Sequence, residues 1–218
     1  FYMSDVGAFK HIALGDYTIR LGQGLVAWTS LGFRKGSYVM DIMRQANPVK
    51  PYTSVSESVF FRGAAATLGL GENFEITAFG SYKPLDGNVL VPEADENELE
   101  VAGDATDFDI SSVQLSGFHR TEAELEDRHA IDETAIGGNI AYKSRRLSLG
   151  INALYVGLSS DLMPNLTLDR QYAFRGDSYF NASFDYKYLY KNFHFFGETA
   201  VNDVGGIATL NGVLIGLD

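Results

Sequence analysis

The stretch SYFNASFDYKYLYKNFHFFGETAV, residues 178–201, alternates between apolar and polar residues with a period of two. In its first half, aromatic and small residues fill every second position, and mostly polar residues stand between them. The alternation restarts at Phe193, directly after the pair Lys191-Asn192. A period of two is typical of a strand with one apolar and one polar face. Residues 178–201 are therefore predicted to form a β-hairpin with a two-residue turn.

Aromatic residues crowd around the predicted turn instead of lying at mid-strand. In a water-soluble sheet, the large residues more often lie at mid-strand, under the core. Aromatic girdles at the ends of lipid-facing strands are typical of outer-membrane barrels. The pattern predicts a lipid-facing girdle formed by Tyr142, Tyr186, Tyr188, Tyr190, Phe193 and Phe195.

The opposite face of the same strands carries polar side chains. In a membrane barrel this face points into the lumen, where it either lines a polar conduit or forms a hydrogen-bonded interior that closes a narrow barrel. The predicted lumen-facing residues are Asn139, Lys143, Asn152, Asn181, Ser183, Asp185, Lys187, His194 and Glu198.

The alternation predicts about eight strands in the whole chain. One of them is a long strand over residues 11–28, bent at Gly22-Gln23-Gly24 because glycines interrupt the pattern there. Long and short connections alternate, as in a meander barrel whose tight turns share one rim. The predicted strands cover residues 11–28, 60–70, 74–82, 134–143, 147–155, 178–190, 193–201 and 206–217, with long loops at about 34–57, 84–132 and 158–177.

The composition agrees with an all-β chain. The 218 residues include 23 Gly, 15 Phe and 12 Tyr, which suit closely spaced strands better than helices. No window approaches the 18 apolar residues of a membrane helix. The absence of Cys excludes disulfides and thiolate metal sites, and no pattern predicts a cofactor.

Most of the net charge of −11 comes from residues 91–109, which hold eight acidic residues and no Lys or Arg. This balance argues against nucleic acid as a partner. The acidic run could bind Ca²⁺ or divalent ions shared with lipopolysaccharide phosphates, although it lacks the spacing of an EF-hand loop. The alternative is a solvated segment without a bound ion.

The chain begins with Phe1 and stops within the apolar alternating run VLIGLD. An open barrel edge in lipid would leave backbone groups unpaired. The sequence is therefore expected to be an internal portion of a longer antiparallel transmembrane meander β-barrel.

Four motifs in order resemble a known family. They are LGDYTIRLGQGLVAWTSLGFRKG (14–36), PYTSVSESVFFRGAAAT (51–67), FHRTEAEL (118–125), and YKYLYKNFHFFGE (186–198) followed by LNGVLIGLD (210–218). Together they resemble uncharacterised Bacteroidota outer-membrane β-barrel proteins in which an N-terminal helix-hairpin-helix region precedes the barrel. That region is missing from this sequence. The resemblance implies a barrel fold and a location in the bacterial outer membrane, and it implies no reaction.

Three functions remain open at this point. The favoured one is a non-enzymatic barrel, acting as a scaffold or accessory subunit of an envelope assembly or as a pore, with lipid, lipopolysaccharide and other envelope proteins as partners. The second is an outer-membrane hydrolase using His119 and His129 with the acids around residues 121–132, where a capping-box spacing also predicts a short helix. The third is a soluble β-barrel that binds a small apolar ligand.

Overall fold

The structure is a computed structural model that describes residues 1–29, 39–45, 47–54, 59–89, 110–114, 128–164 and 173–216. Within these residues, eleven strands form one sheet, and a short 3-10 helix covers Val39–Ile42. The strands are β1 Tyr2–Val6, β2 Phe9–Ile19, β3 Val49–Pro51, β4 Phe61–Leu70, β5 Phe74–Val89, β6 Ile110–Gln114, β7 Ile131–Lys143, β8 Leu147–Leu162, β9 Gly176–Tyr190, β10 Phe193–Asn202 and β11 Ile207–Ile215.

The sheet is an antiparallel meander. Strands β1, β2, β4, β5, β7, β8, β9, β10 and β11 follow one another both in sequence and in space. The short strand β3 pairs with β2, and β6 pairs with the last residues of β5 and touches β8 at Leu162. The predicted all-β antiparallel meander is therefore confirmed. The described strands do not close into a barrel, because β1 pairs only with β2 and β11 only with β10.

The hairpin of β9 and β10 has the predicted register. Tyr190 pairs with Phe193 next to the turn, and the pairing continues without a shift to Asn181 and Asn202. Lys191 reaches a positive φ of 52° in the first turn position. The tight turn keeps the two apolar faces of the hairpin on the same side of the sheet.

The sheet curls strongly, so its two faces differ. The hydroxyl of Tyr17 on β2 donates to the carbonyl of Gly80 on β5 at 2.7 Å, across the concave side. Leu154 of β8 joins the same buried cluster as Tyr17, although three strands separate β2 from β8 in the sheet. We call the concave side the inner face and the convex side the outer face.

Large apolar side chains lie exposed on the outer face. Ile151 of β8 is 59% exposed, and its cross-strand neighbours Ile140 and Phe184 are exposed as well. The inner face is buried in two parts. One part is apolar and centres on Tyr17, and the other is polar and centres on Asn152.

The prediction of one strand over residues 11–28 is wrong. β2 ends at Ile19, and the chain then turns, with positive φ angles at Gly22 (54°) and Gly24 (90°). An antiparallel bridge between Arg20 and Trp28 closes the turn. Residues 21–27 lie against the inner face, and we call them the inner loop. The alternation of apolar and polar residues did not predict this turn. A glycine that interrupts the pattern indicates a bend, but it does not show that the chain reverses direction.

The other predicted strands are present, and the structure adds three short ones, β1, β3 and β6. β3 lies inside the predicted loop 34–57, while β5 continues to Val89 inside the predicted loop 84–132. β6 also lies in that segment, and β8 extends to Leu162. The acidic run 91–109 and most of the predicted helix at 121–130 lie outside the described residues. Among the residues described, no helix is long and apolar enough to span a membrane.

The glycine at 137 makes room for an aromatic ring in the apolar part of the inner face. We expect Gly137→Ala to lower the free energy of unfolding by about 1–3 kcal/mol, as overpacking does. An added Cβ would lie 2.5 Å from the Phe79 ring and 2.6 Å from the carbonyl oxygen of Ala153, and this backbone atom cannot move aside cheaply. Urea titration of the protein in detergent measures the change.

Gly80→Ala is the matched control, because no atom lies within 4 Å of its added Cβ. Its stability should stay within about 0.5 kcal/mol of wild type. Equal effects of the two substitutions would contradict the packing of Phe79 over Gly137.

Candidate functional site

The carboxyl group of Glu198 on β10 holds the inner loop. It is 1% exposed, and its Oε2 accepts backbone hydrogen bonds from Gln23 at 2.6 Å and Leu25 at 3.1 Å. Its Oε1 accepts the hydroxyl of Ser183 at 2.6 Å. A buried carboxyl is costly unless hydrogen bonds replace its water, and these three donors replace it. Glycine at 22 permits the approach, because a Cβ there would lie 2.8 Å from the carboxyl carbon.

A chain of polar side chains continues from Glu198 across β9, β8 and β7. Asn152, which is fully buried, donates to the hydroxyl of Ser183 at 3.0 Å and to Oδ2 of Asp185 at 2.8 Å. The oxygen of the Asn152 amide accepts a hydrogen bond from Asn139 at 2.6 Å. We call these five side chains, Asn139, Asn152, Ser183, Asp185 and Glu198, the inner polar network.

A second inner segment, residues 43–45, is tied to the loop by Gln23. The backbone N–H of Arg44 donates to Oε1 of Gln23 at 2.9 Å, and Nε2 of Gln23 donates to the Arg44 carbonyl at 3.3 Å. The same carbonyl accepts Nζ of Lys187 at 2.8 Å. The Gln23 amide therefore pairs with the Arg44 backbone much as a strand neighbour would, and two chain segments fill this part of the concave side.

A small cavity of about 70 Å³ lies between the inner loop and the polar network. Its wall includes Arg20, Lys143, Lys187 and Asp185, so it is polar and carries charges of both signs. The guanidinium of Arg44 lies over the nearby Trp28 ring at 4.6 Å. The cavity is far smaller than the roughly 300–1,000 Å³ of ordinary small-molecule pockets, so it suits water or a small ion.

The predicted lumen-facing residues lie in three environments. Five of them form the inner polar network. Lys187 and His194 lie nearer the turns, on the wall of a second cavity. Lys143 forms an exposed ion pair with Glu75 at 2.6 Å, and Asn181, which pairs with Asn202 at the opposite end of the sheet, is half-buried.

The predicted girdle residues lie at one end of the outer face, near the turns. Tyr188 and Phe195 stack with ring centroids 6.5 Å apart, and Phe193 stacks on Phe195 at 6.1 Å. Tyr190 is exposed beside them. Tyr142 and Tyr186 are half-buried, Tyr142 packing on Phe74 and the Tyr186 hydroxyl donating to Asn211 at 2.9 Å.

Several inner residues are not predicted by the sequence pattern. Gln23 belongs to the predicted glycine-rich bend, and Arg44 belongs to the predicted loop 34–57. Thr67 and Thr77, whose hydroxyls are 2.9 Å apart, are buried on neighbouring strands. Lys83 is also buried, donating to the Phe60 carbonyl at 2.9 Å. Their inward positions follow from the alternation of β4 and β5, which was the available signal.

The residues of the hydrolase hypothesis are not brought together in the described structure. His129 is exposed, and its backbone N–H donates to Asp86 at 2.9 Å. His119 and the acids at 122–127 lie outside the described residues. Among the residues that the structure covers, no three His, Cys, Asp or Glu side chains form a group that could hold a metal ion.

Comparison with known proteins found no matching family model, curated protein or solved structure. The resemblance to Bacteroidota outer-membrane proteins therefore stays a prediction from the sequence.

The Glu198 carboxyl should be the main anchor of the inner loop. We expect Glu198→Ala to lower the free energy of unfolding by about 2–6 kcal/mol, because two buried N–H groups lose their acceptor at about 1–3 kcal/mol each. Fluorescence of Trp28, the single tryptophan, reports on the base of the loop during urea titration.

Thr199→Ala is the control for this substitution. Thr199 is the next residue on β10 and faces the outer side, where it contacts Thr209. Its effect should stay within about 0.5 kcal/mol. A Glu198→Ala protein with wild-type stability and an unchanged Trp28 spectrum would show that the loop is held by other contacts.

Proposed function

We propose that this chain forms part of a non-enzymatic β-barrel of the bacterial outer membrane and acts as a scaffold or accessory subunit of an envelope assembly. The observation that carries the proposal is the reversed distribution of polarity. Apolar side chains lie exposed on the outer face, while hydrogen-bonded polar side chains are buried on the inner face. This is the arrangement of a sheet with lipid outside and a polar interior.

The outer face of β7 to β10 supports a lipid environment. Its positions from Thr134 to Tyr142 and from Phe180 to Tyr190 alternate with the inner residues and carry no charged side chain. Charged pairs on the outer face lie near strand ends, as Asp16 and Arg62 do at 2.7 Å. A charge at the middle of a bilayer costs about 2–4 kcal/mol, and one near the interface costs much less.

Aromatic residues lie at both ends of this apolar surface. Phe180 pairs with Tyr155 near one end, and Tyr188 and Tyr190 lie near the other. Phe180 and Tyr190 are ten positions apart on β9, about 34 Å along the strand. With a strand tilt of about 40°, that corresponds to a height of about 26 Å, close to the apolar band of outer-membrane barrels.

A membrane location also requires closure of the sheet. In the described part of the chain, no strand pairs with the outer edges of β1 and β11, and each unpaired backbone group costs several kcal/mol in hydrocarbon. In the proposed assembly, further strands pair with these edges and complete a larger barrel.

The filled interior favours a scaffold over a pore. The inner loop and residues 43–45 occupy the concave side next to β9 and β10, and Glu198, Lys187 and Gln23 hold them in place. A conduit would need a continuous polar path, whereas here the polar side chains bond to one another.

A substitution in the middle of the apolar outer surface, between its two aromatic ends, tests the contact with lipid. Ile151 lies midway between the aromatic ends, level with Phe184, so Ile151→Lys should destabilise the protein folded in lipid vesicles by about 2–4 kcal/mol. Leu70→Lys at the end of β4 is the matched control and should cost less than about 1 kcal/mol. Urea-dependent folding into vesicles measures both values. If the protein stays dissolved without detergent at high concentration and both variants fold equally well, the membrane proposal fails.

Electrical recording distinguishes scaffold from pore. The full-length protein in a planar bilayer should give no steady conductance, and a native pull-down from mild detergent should retain a stoichiometric envelope partner. Stable channels that are seen only when the protein is present would contradict the scaffold and support the pore. Mass spectrometry identifies the partner.

A further inference from the structure

A second cavity, of about 190 Å³, lies at the rim where the tight turns meet. It is bounded by the β7–β8 turn on one side and by the β9–β10 hairpin on the other. Among the described residues that line it, four have basic side chains and none is Asp or Glu; the four are Arg145, Arg146, Lys187 and His194. Basic groups gathered without an acidic neighbour give this rim a positive potential that attracts anions.

The arginines of this cavity are available to a ligand. In the described part of the chain, the side chains of Arg145 and Arg146 make no hydrogen bond or ion pair, and both residues are exposed. The Arg146 carbonyl accepts the N–H of Leu189 at 2.8 Å, which fixes the turn against β9. The ammonium group of Lys187 donates one hydrogen bond to the Arg44 carbonyl and has two further N–H donors.

The cavity also reaches the apolar outer face. Tyr188 and Phe195, which stack on each other there, belong to its wall, as does Leu147. One side of the cavity is therefore basic and the other is continuous with the exposed aromatic surface. Guanidinium groups match phosphate oxygens in a forked geometry, and basic pockets beside apolar membrane surfaces suit anionic head groups.

We propose that this rim cavity binds a phosphate group, held by Arg145, Arg146 and Lys187. Its volume is below that of ordinary ligand pockets, so it accommodates a phosphate-sized group and leaves the rest of the ligand outside. The phosphate belongs either to a phospholipid, whose acyl chains follow the Tyr188 and Phe195 surface, or to a free phosphate compound. Binding of a phospholipid rests on the proposed membrane function, whereas binding of a free phosphate compound does not.

The test compares two variants with the same change in charge. Arg145→Gln with Arg146→Gln removes the two exposed guanidinium groups of the cavity. Arg128→Gln with Arg175→Gln removes two exposed arginines that precede β7 and β9, at the opposite rim. Both variants and the wild-type protein are titrated with phosphatidylglycerol in detergent micelles, with phosphatidylcholine as the neutral-lipid comparison, and native mass spectrometry counts bound lipid. Inorganic phosphate is titrated separately by calorimetry.

We expect wild type and the opposite-rim variant to bind phosphatidylglycerol alike, and the cavity variant to bind it roughly thirtyfold more weakly. Phosphatidylcholine should bind weakly to all three. Saturable binding of inorganic phosphate that only the cavity variant loses would assign the site to a free phosphate compound.

Equal binding of both probes by the two variants, or no binding of either probe to wild type, would overturn the proposal. The two proposals fail separately. If the protein proves soluble without detergent, the membrane function falls, and the phosphate titration in plain buffer still decides the site.

Discussion

Reversed polarity is the constraint on which the rest of this structure depends. Across β7 to β10 the sheet exposes isoleucine and phenylalanine on its convex side and buries polar side chains on its concave side, and every buried polar atom then needs a partner. In the inner polar network, Asn152 provides these partners. Its amide nitrogen donates hydrogen bonds to Ser183 and Asp185, and its amide oxygen accepts one from Asn139. The side chains of three neighbouring strands are thereby held in one arrangement.

The concave side has two parts that are filled in different ways. Around Tyr17, aromatic rings and small residues pack as in the core of a soluble protein, with Phe61 and Phe79 at 5.5 Å. Around Glu198, the space is filled by backbone from the inner loop, which brings N–H groups to a carboxyl. The change from one filling to the other follows the sequence, since β2, β4 and β5 supply Tyr17, Phe61 and Phe79 to the apolar cluster, whereas the inner residues of β9 nearest Glu198, Ser183 and Asp185, are polar.

Local pattern was enough for the seven strands β4, β5 and β7–β11 and for the direction of most of their side chains, but not for the end of β2 or for β1, β3 and β6. The hairpin of β9 and β10 was predictable because its alternation and its two-residue turn agree, and the buried positions of Ser183 and Glu198 follow from that alternation, as that of Asn152 follows from the alternation of β8. The inner loop was not predictable. Its position depends on a partner that lies 175 residues away in the sequence, and a period of two says nothing about such a contact. The basic cavity was not predicted either, because alternation along a strand does not show how the β7–β8 turn with Arg145 sits beside Lys187 and His194 of the neighbouring hairpin.

The contact between Gln23 and Glu198 also bears on the order of folding. Five pairings of the meander, β1–β2, β4–β5, β7–β8, β9–β10 and β10–β11, join strands that are separated by only two to four residues, so these hairpins close at small entropic cost. The inner loop has no complete binding site until β9 and β10 are both in the sheet, because its acceptor is on β10 and the hydroxyl that orients this acceptor is on β9. Docking of the loop is therefore a late event, and a chain whose last hairpin is misplaced keeps its inner loop undocked. An undocked loop leaves the N–H groups of Gln23 and Leu25 without the Glu198 carboxyl, and an incompletely folded chain is therefore open to proteolysis at this segment.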